Sequence, residues 1–187
     1  GVNNAPQNGY VYAFPEVAFA PGAIKAVATK GGKVVAQQEI QTAGEPKAIK
    51  LTLHTGPQGL QADGSDMALI DFEVVDAQGR RCPTDEARVD FAVTGPVIWR
   101  GGFNAAKLKT TNNLYLDTEC GVNRVAVRST LTAGTITVTA TRAGLTPATV
   151  KIESRATEIK SGLETHLPQT YSSPVQAIPG FAGRSDA

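Results

Sequence analysis

The carboxylates Asp66, Asp71, Glu73, Asp76, Asp85, Glu86, Asp90, Asp117 and Glu119 are the residues of this chain best suited to acid–base chemistry. Acid–base catalysis of bond cleavage needs two such groups facing each other across the bond, one giving a proton and the other acting as base or nucleophile. Most of these acids fall on the polar positions of alternating segments or in turns, where a solvated surface charge is the ordinary reading. Asp117 and Glu119 share one side of a short extended segment, which is the only hint of a pair. The two histidines, His54 and His166, have no Gly-x-Ser-x-Gly elbow to act with, so a serine or cysteine nucleophile is not expected. No His, Cys or carboxylate cluster has metal-ligand spacing, and no metal or other cofactor is expected. Asp63 and Asp66 of the ADGSD stretch could hold calcium only with further oxygen ligands from elsewhere, and a plain turn is the simpler reading.

A second kind of chemistry is binding. Residues 95–121 contain the single tryptophan and show no regular hydrophobic alternation. Trp99, Phe103 and Tyr115 could stack on the CH face of a pyranose, with Arg100, Asn104, Asn112 and Asn113 as polar partners. A tryptophan packed between sheets, Asn-rich turns, or a surface that docks another domain would account for the same residues. The two cysteines, Cys82 and Cys120, lie near the ends of neighbouring apolar runs. A disulfide between them, formed in an oxidising compartment if their Cα atoms lie within about 7 Å, and a pair of free thiols are equally open.

The elements that would position these groups follow a period of two. Ile49, Leu51 and Leu53 alternate with polar residues, as do Ile70, Phe72 and Val74, then Val89, Phe91 and Val93. The pattern returns at Val125 and Val127, at Ile136, Val138 and Ala140, and at Val150 and Ile152. Each such run presents one apolar face and one polar face when extended. X-Gly and Asp-Gly pairs between the runs supply the positive φ that strand-to-strand turns demand. Residues 46–154 therefore read as one immunoglobulin-like β-sandwich, and helical periodicity is almost absent, with only residues 157–167 suited to a short helical turn.

Residues 1–45 read as a separate, partial β domain: a run at Tyr10, Tyr12 and Phe14, a strand over residues 23–29, a Lys30-Gly31-Gly32-Lys33 hairpin, and a strand over residues 34–40. Its front strands are expected upstream of Gly1, which is expected to be a cut end because the sole methionine is Met67. Residues 155–187, rich in Pro, Ser and Gly, are expected to be a tail without a core of its own. The 18 basic and 17 acidic residues are interspersed, for a net charge of +1, so neither nucleic acid nor an anionic membrane is an expected partner. The longest apolar run is far short of the roughly 20 residues that a membrane-spanning helix needs, and a soluble chain is expected.

Three stretches carry a resemblance: FPEVAFAPGAIKAVATKGGKVVAQQEIQTAGEPKAIKL, LQADGSDMALIDFEVVDAQGRRCPT and AGTITVTATRAGLTPATVKI. In this order, over residues 11–153, they resemble the C-terminal region of bacterial glycoside hydrolase family 2 β-galactosidases, where immunoglobulin-like domains follow a catalytic barrel. The resemblance implies a non-catalytic accessory region of an exported, periplasmic or secreted enzyme. It also implies that the partners are other domains of that enzyme, with a polysaccharide or galactoside as a further candidate. The barrel, which takes about 250 residues, and its paired glutamates have no counterpart in this chain. A carbohydrate-binding module using the aromatic residues above, and an adhesin-like immunoglobulin repeat unrelated to sugar hydrolysis, stand beside it as alternatives.

Overall fold

The computed structural model describes Phe14 and residues 17–105, 110–160 and 163–164, and the run at Tyr10 and Tyr12 and most of residues 155–187 lie outside it. All regular structure among the described residues is β. The chain divides into two compact units, Gly1–Gly44 and Glu45–Ala187.

Among the described residues, the regular structure of the first unit is an antiparallel hairpin of β1 (Ala23–Lys30) and β2 (Lys33–Gln41). Its turn is Gly31-Gly32, both with positive φ, the pairing that a two-residue hairpin needs. Ile24 pairs with Ile40 and Ala28 with Ala36, so one face of the ribbon is mostly apolar, interrupted by Gln38 opposite Ala26, and every residue of both strands is exposed.

The second unit is a sandwich. Its strands are β3 (Ala48–His54), β4 (Leu60–Gln61), β5 (Met67–Val75), β6 (Arg88–Thr94), β7 (Val97–Gly102), β8 (Tyr115–Asp117), β9 (Val122–Ser129), β10 (Gly134–Thr141) and β11 (Ala148–Arg155). One sheet has the order β3-β5-β9-β7 and the other β4-β11-β10-β6-β8. A small ribbon of β12 (Ile159–Lys160) and β13 (Leu163–Glu164) follows. Of residues 157–167, where a short helical turn was expected, the described ones form this ribbon or carry no regular structure, and residues 161–162 and 165–167 lie outside the described residues.

The alternation seen in the sequence sets which face is buried. Ala68, Ile70, Phe72 and Val74 of β5 and Val125 and Val127 of β9 meet Val89 and Phe91 of β6 and Ile136, Val138 and Ala140 of β10, all of them buried. Phe72 and Phe91 touch edge to face across the sheets, with ring centroids 5.1 Å apart. The chain passes from one sheet to the other between β6 and β7 through Gly95-Pro96. At Gly95 a Cβ would lie 2.4 Å from the Thr135 carbonyl oxygen, so only glycine permits this close crossing.

One ion pair knits the loops at an end of the sandwich. Asp85, before β6, is gripped by both terminal nitrogens of Arg142, just after β10, with Nη1 to Oδ1 at 2.7 Å. The Thr118 hydroxyl donates to the same carboxylate at 2.6 Å, and the Asp85 carbonyl accepts the Gly121 amide at 2.8 Å. Burial acts to raise the Asp85 pKa, but the Arg142 fork, the Thr118 hydroxyl and the Ala87 amide outweigh it and hold the carboxyl below its ordinary value.

In the structure Cys82 and Cys120 are not bridged to each other. Cys82 is buried beside Val74 and Asp85, its Sγ turned toward the Arg80 carbonyl, whereas Cys120 is exposed on a residue with φ of 53°. The backbones nearly touch, since a Cβ on Gly121 would lie 2.1 Å from the Cys82 carbonyl oxygen. The side chains nevertheless occupy opposite environments. Burial first, then the carboxylates of Asp76, Asp85 and Glu45, raise the Cys82 thiol pKa, with Arg142 opposing.

Arg142→Met leaves the Asp85 charge buried without its partner and should cost about 3 to 5 kcal/mol in urea unfolding at pH 7, with Asp85→Asn/Arg142→Met recovering part of the loss. Because the folded pKa of Asp85 is depressed, the pair's contribution is complete above the unfolded value of about 3.9 and fades as pH falls through the folded one. The gap between wild type and Arg142→Met should narrow on acidification, and a gap constant down to pH 2 would contradict this assignment. Thiol titration of the native chain should read one fast thiol, Cys120, and a second only in denaturant.

Candidate functional site

The segment following β6 shows no regular hydrophobic alternation in the sequence, yet its first part is a strand. β7 lies at the edge of the four-stranded sheet, paired with β9, and carries a bulge: Trp99 opposes Val127 and Gly101 opposes Ala126, leaving Arg100 as the extra residue. Gly101 has φ of 64°, and a Cβ there would meet the Asn112 amide nitrogen at 2.9 Å. The bulge thus lets residues 110–113 lie against the strand, with the Asn112 amide donating to the Arg100 carbonyl at 3.2 Å.

This geometry sorts the residues expected to bind sugar. Trp99 is half-buried, tilted against Phe91 with centroids 5.3 Å apart, and its indole N–H donates to the Asn113 carbonyl at 2.8 Å. Its ring is committed to packing, the bland alternative for this residue. Asn104 is 2% exposed; its Nδ2 donates to the Asp117 carbonyl at 3.0 Å and its amide N–H donates to the Thr110 hydroxyl at 3.2 Å. It is a loop clamp rather than a free hydrogen-bonding arm. Asn112 sits at φ of 65° as a turn residue. Tyr115 lies in β8, in the other sheet, and one face of its ring is covered by the Arg88 guanidinium 3.8 Å from the centroid.

Arg100 and Phe103 remain at the surface and are brought together. They line an open concavity of about 430 Å³ with Thr111, Asn123, Arg124 and Ala126. β9 supplies the floor: Val125 and Val127 point into the core, so Arg124 and Ala126 face outward. The alternation of β9 could have shown that Arg124 is outward, but not that β9 is the neighbour of β7. Arg124 is itself held in place by a fork to Asp71, Nη2 to Oδ2 at 3.0 Å, and His54 Nε2 lies 2.9 Å from the same oxygen. The Arg124 hydrogen bonds hold the Asp71 carboxyl below its ordinary pKa, with burial opposing and His54 assisting. None of the residues lining the concavity carries a carboxylate, imidazole or thiol.

A second hollow of about 300 Å³ is lined in part by Gln58, Gln61, Asp63 and Asp66. Its two aspartates are used by the fold. Asp63 Oδ1 accepts the Ser65 and Asp66 amides at 2.8 and 2.6 Å, and the Asp66 oxygens accept the Gln61 and Met67 amides, both at 2.8 Å. Burial would raise the Asp63 pKa, yet these donors lower it, the opposite of what a general acid at neutral pH requires. Glu119 is likewise engaged, its Oε1 accepting the Ala105 amide at 2.8 Å, so it does not form a pair with Asp117 across an open site. Among the described residues no group of three or more His, Cys, Asp or Glu side chains is placed to hold a metal ion.

Comparison with known proteins places this sandwich. The model of glycoside hydrolase family 2 C-terminal domain 5 matches residues 49–151. A β-glucuronidase of Formosa agariphila is 51% identical over the whole chain, which covers 20% of that protein. A β-galactosidase of Bacteroides ovatus is 34% identical over 74% of this chain and 16% of its own length. Among solved structures, a family 2 β-glucuronidase superposes with a TM-score of 0.84 at 52% identity, over 92% of this chain and 18% of the other. A family 2 member from Bacteroides cellulosilyticus gives 0.68 at 30% identity, over 74% and 18%. This chain therefore spans a fifth or less of the curated relatives it matches. An adhesin repeat unrelated to sugar hydrolysis does not fit these matches. The chain belongs to glycoside hydrolase family 2, as a C-terminal domain of that family's enzymes.

Proposed function

We propose that this chain is a non-catalytic accessory region of a family 2 β-glycosidase, acting by packing against other domains of the parent enzyme and by positioning it. The observation that carries this reading is the fate of the carboxylates. Asp63, Asp66, Asp71, Asp85 and Glu119 are bound to backbone amides or to arginines, and the exposed groove at β7 is lined by no carboxylate, imidazole or thiol. Hydrolysis would then rest on a part of the enzyme outside this chain. The apolar face of the β1–β2 ribbon, with Ile24 and Ile40 66% and 70% exposed, supports a docking role. A hairpin buries little by itself, and further strands packed on it would complete a second sandwich there.

For the parent's substrate, the identity of 51% to a β-glucuronidase against 34% to a β-galactosidase favours a β-glucuronide over a β-galactoside. The 187-residue chain should show no turnover of 4-nitrophenyl β-D-glucuronide or β-D-galactoside above buffer, whereas the parent enzyme should turn over the glucuronide faster. Hydrolysis by the isolated chain, abolished by Asp63→Asn or Asp66→Asn, would overturn the accessory role.

A further inference from the structure

We propose that the groove between the β7 bulge and the outer face of β9 is a binding site for an anionic saccharide. In this site a sugar ring lies on Phe103, and its carboxylate or sulfate group meets Arg100. The proposal concerns ligand binding by this chain and does not depend on the accessory role in catalysis.

Four features of the groove converge. Phe103 is 64% exposed, an aromatic face left uncovered where its neighbour Trp99 is packed inside. Stacking of a pyranose CH face on such a ring removes apolar surface from water without asking for much depth, which suits an open concavity. Arg100 is the extra residue of the bulge, exposed, and its side chain has no hydrogen bond or ion pair among the described residues. A guanidinium in that state can offer two parallel N–H groups to a carboxylate or sulfate.

Arg124 differs from Arg100 in a useful way. Its Nε and Nη2 are taken by Asp71, so its charge is balanced and its position is fixed, while Nη1 is left to donate to a sugar hydroxyl. The lining has no carboxylate to repel an anion. The net charge of only +1 means that attraction to an acidic glycan must come from this local arrangement rather than from the whole molecule. Neutral sugars could use Phe103 but would leave Arg100 without a partner.

Affinity electrophoresis of the full 187-residue chain in native gels tests this directly, with polygalacturonate, a sulfated galactan or a neutral galactan embedded in each. The chain should be retarded by one or both acidic polymers and not by the neutral one, and which acidic polymer retards it identifies the anionic group. Phe103→Ala and Arg100→Gln should each weaken retardation roughly tenfold, and Arg100→Lys should retain part of it. Both positions are on the surface, so thermal melting should match wild type. Lys50→Gln, a cation on the outer edge strand of the same sheet, should bind as wild type does. Absence of retardation in either acidic gel, equal retardation in the neutral gel, or equal losses for Lys50→Gln and Arg100→Gln would overturn the site.

Discussion

Trp99 is held in two ways at once, and much of the unit rests on that double hold. Its ring packs on Phe91, which meets Phe72 edge to face, so three aromatic side chains from β5, β6 and β7 form a continuous column through the sandwich. Its indole N–H reaches outward to the Asn113 carbonyl and ties residues 110–113 to the sheet edge. A buried indole without a hydrogen-bond partner is costly, so the loop and the ring stabilise each other. The bulge at Arg100 is what makes room for this, because the extra residue turns the strand and Gly101 admits the loop backbone. The groove beside it is a by-product of the same geometry: once Trp99 is turned in, Arg100 and Phe103 are turned out.

A second theme is how polar residues are spent. The carboxylates that looked available for chemistry serve mostly as acceptors for the amides of tight turns or as partners for arginine. Asp63 and Asp66 organise the turn before β5, Asp85 joins three loops through Arg142 and Thr118, and Glu119 holds the Ala105 amide. In a sandwich built of short strands, loops carry many backbone groups that no ladder satisfies, and short acidic side chains are the economical acceptors for them. The depressed pKa values of Asp63, Asp71 and Asp85 reflect this use. Catalysis by a glycosidase asks for the reverse at one of its two acids, a carboxyl kept protonated near neutrality.

The sandwich itself was legible because a half-buried strand writes its orientation into alternate residues. Ile70, Phe72 and Val74, or Ile136, Val138 and Ala140, can face only one way if Asp71, Glu73 and the threonines are to stay at or near water. β7 was not legible for a physical reason: its bulge and its Gly101-Gly102 pair interrupt the alternation, and an edge strand buries fewer of its residues. The residues of the groove were half legible. Aromatic and amide residues do gather in residues 95–121, but whether Trp99 or Phe103 faces solvent depends on strand register, which local composition does not encode. The cysteines are a similar case, since nearness of two backbones says nothing about which way each side chain points.

By itself the sequence determined the strand faces of the sandwich, the glycine turns and the family, because each of these is a property of neighbouring residues or of their order along the chain. Only the tertiary structure decided that Arg100, Phe103 and Arg124 share one groove, that Trp99 packs on Phe91 and Asn104 is buried, and that Cys82 is buried while Cys120 is exposed. Those outcomes depend on which strands lie side by side and in what register. Pairing between strands distant in the chain is set by the packing of the whole core rather than by any short stretch within it.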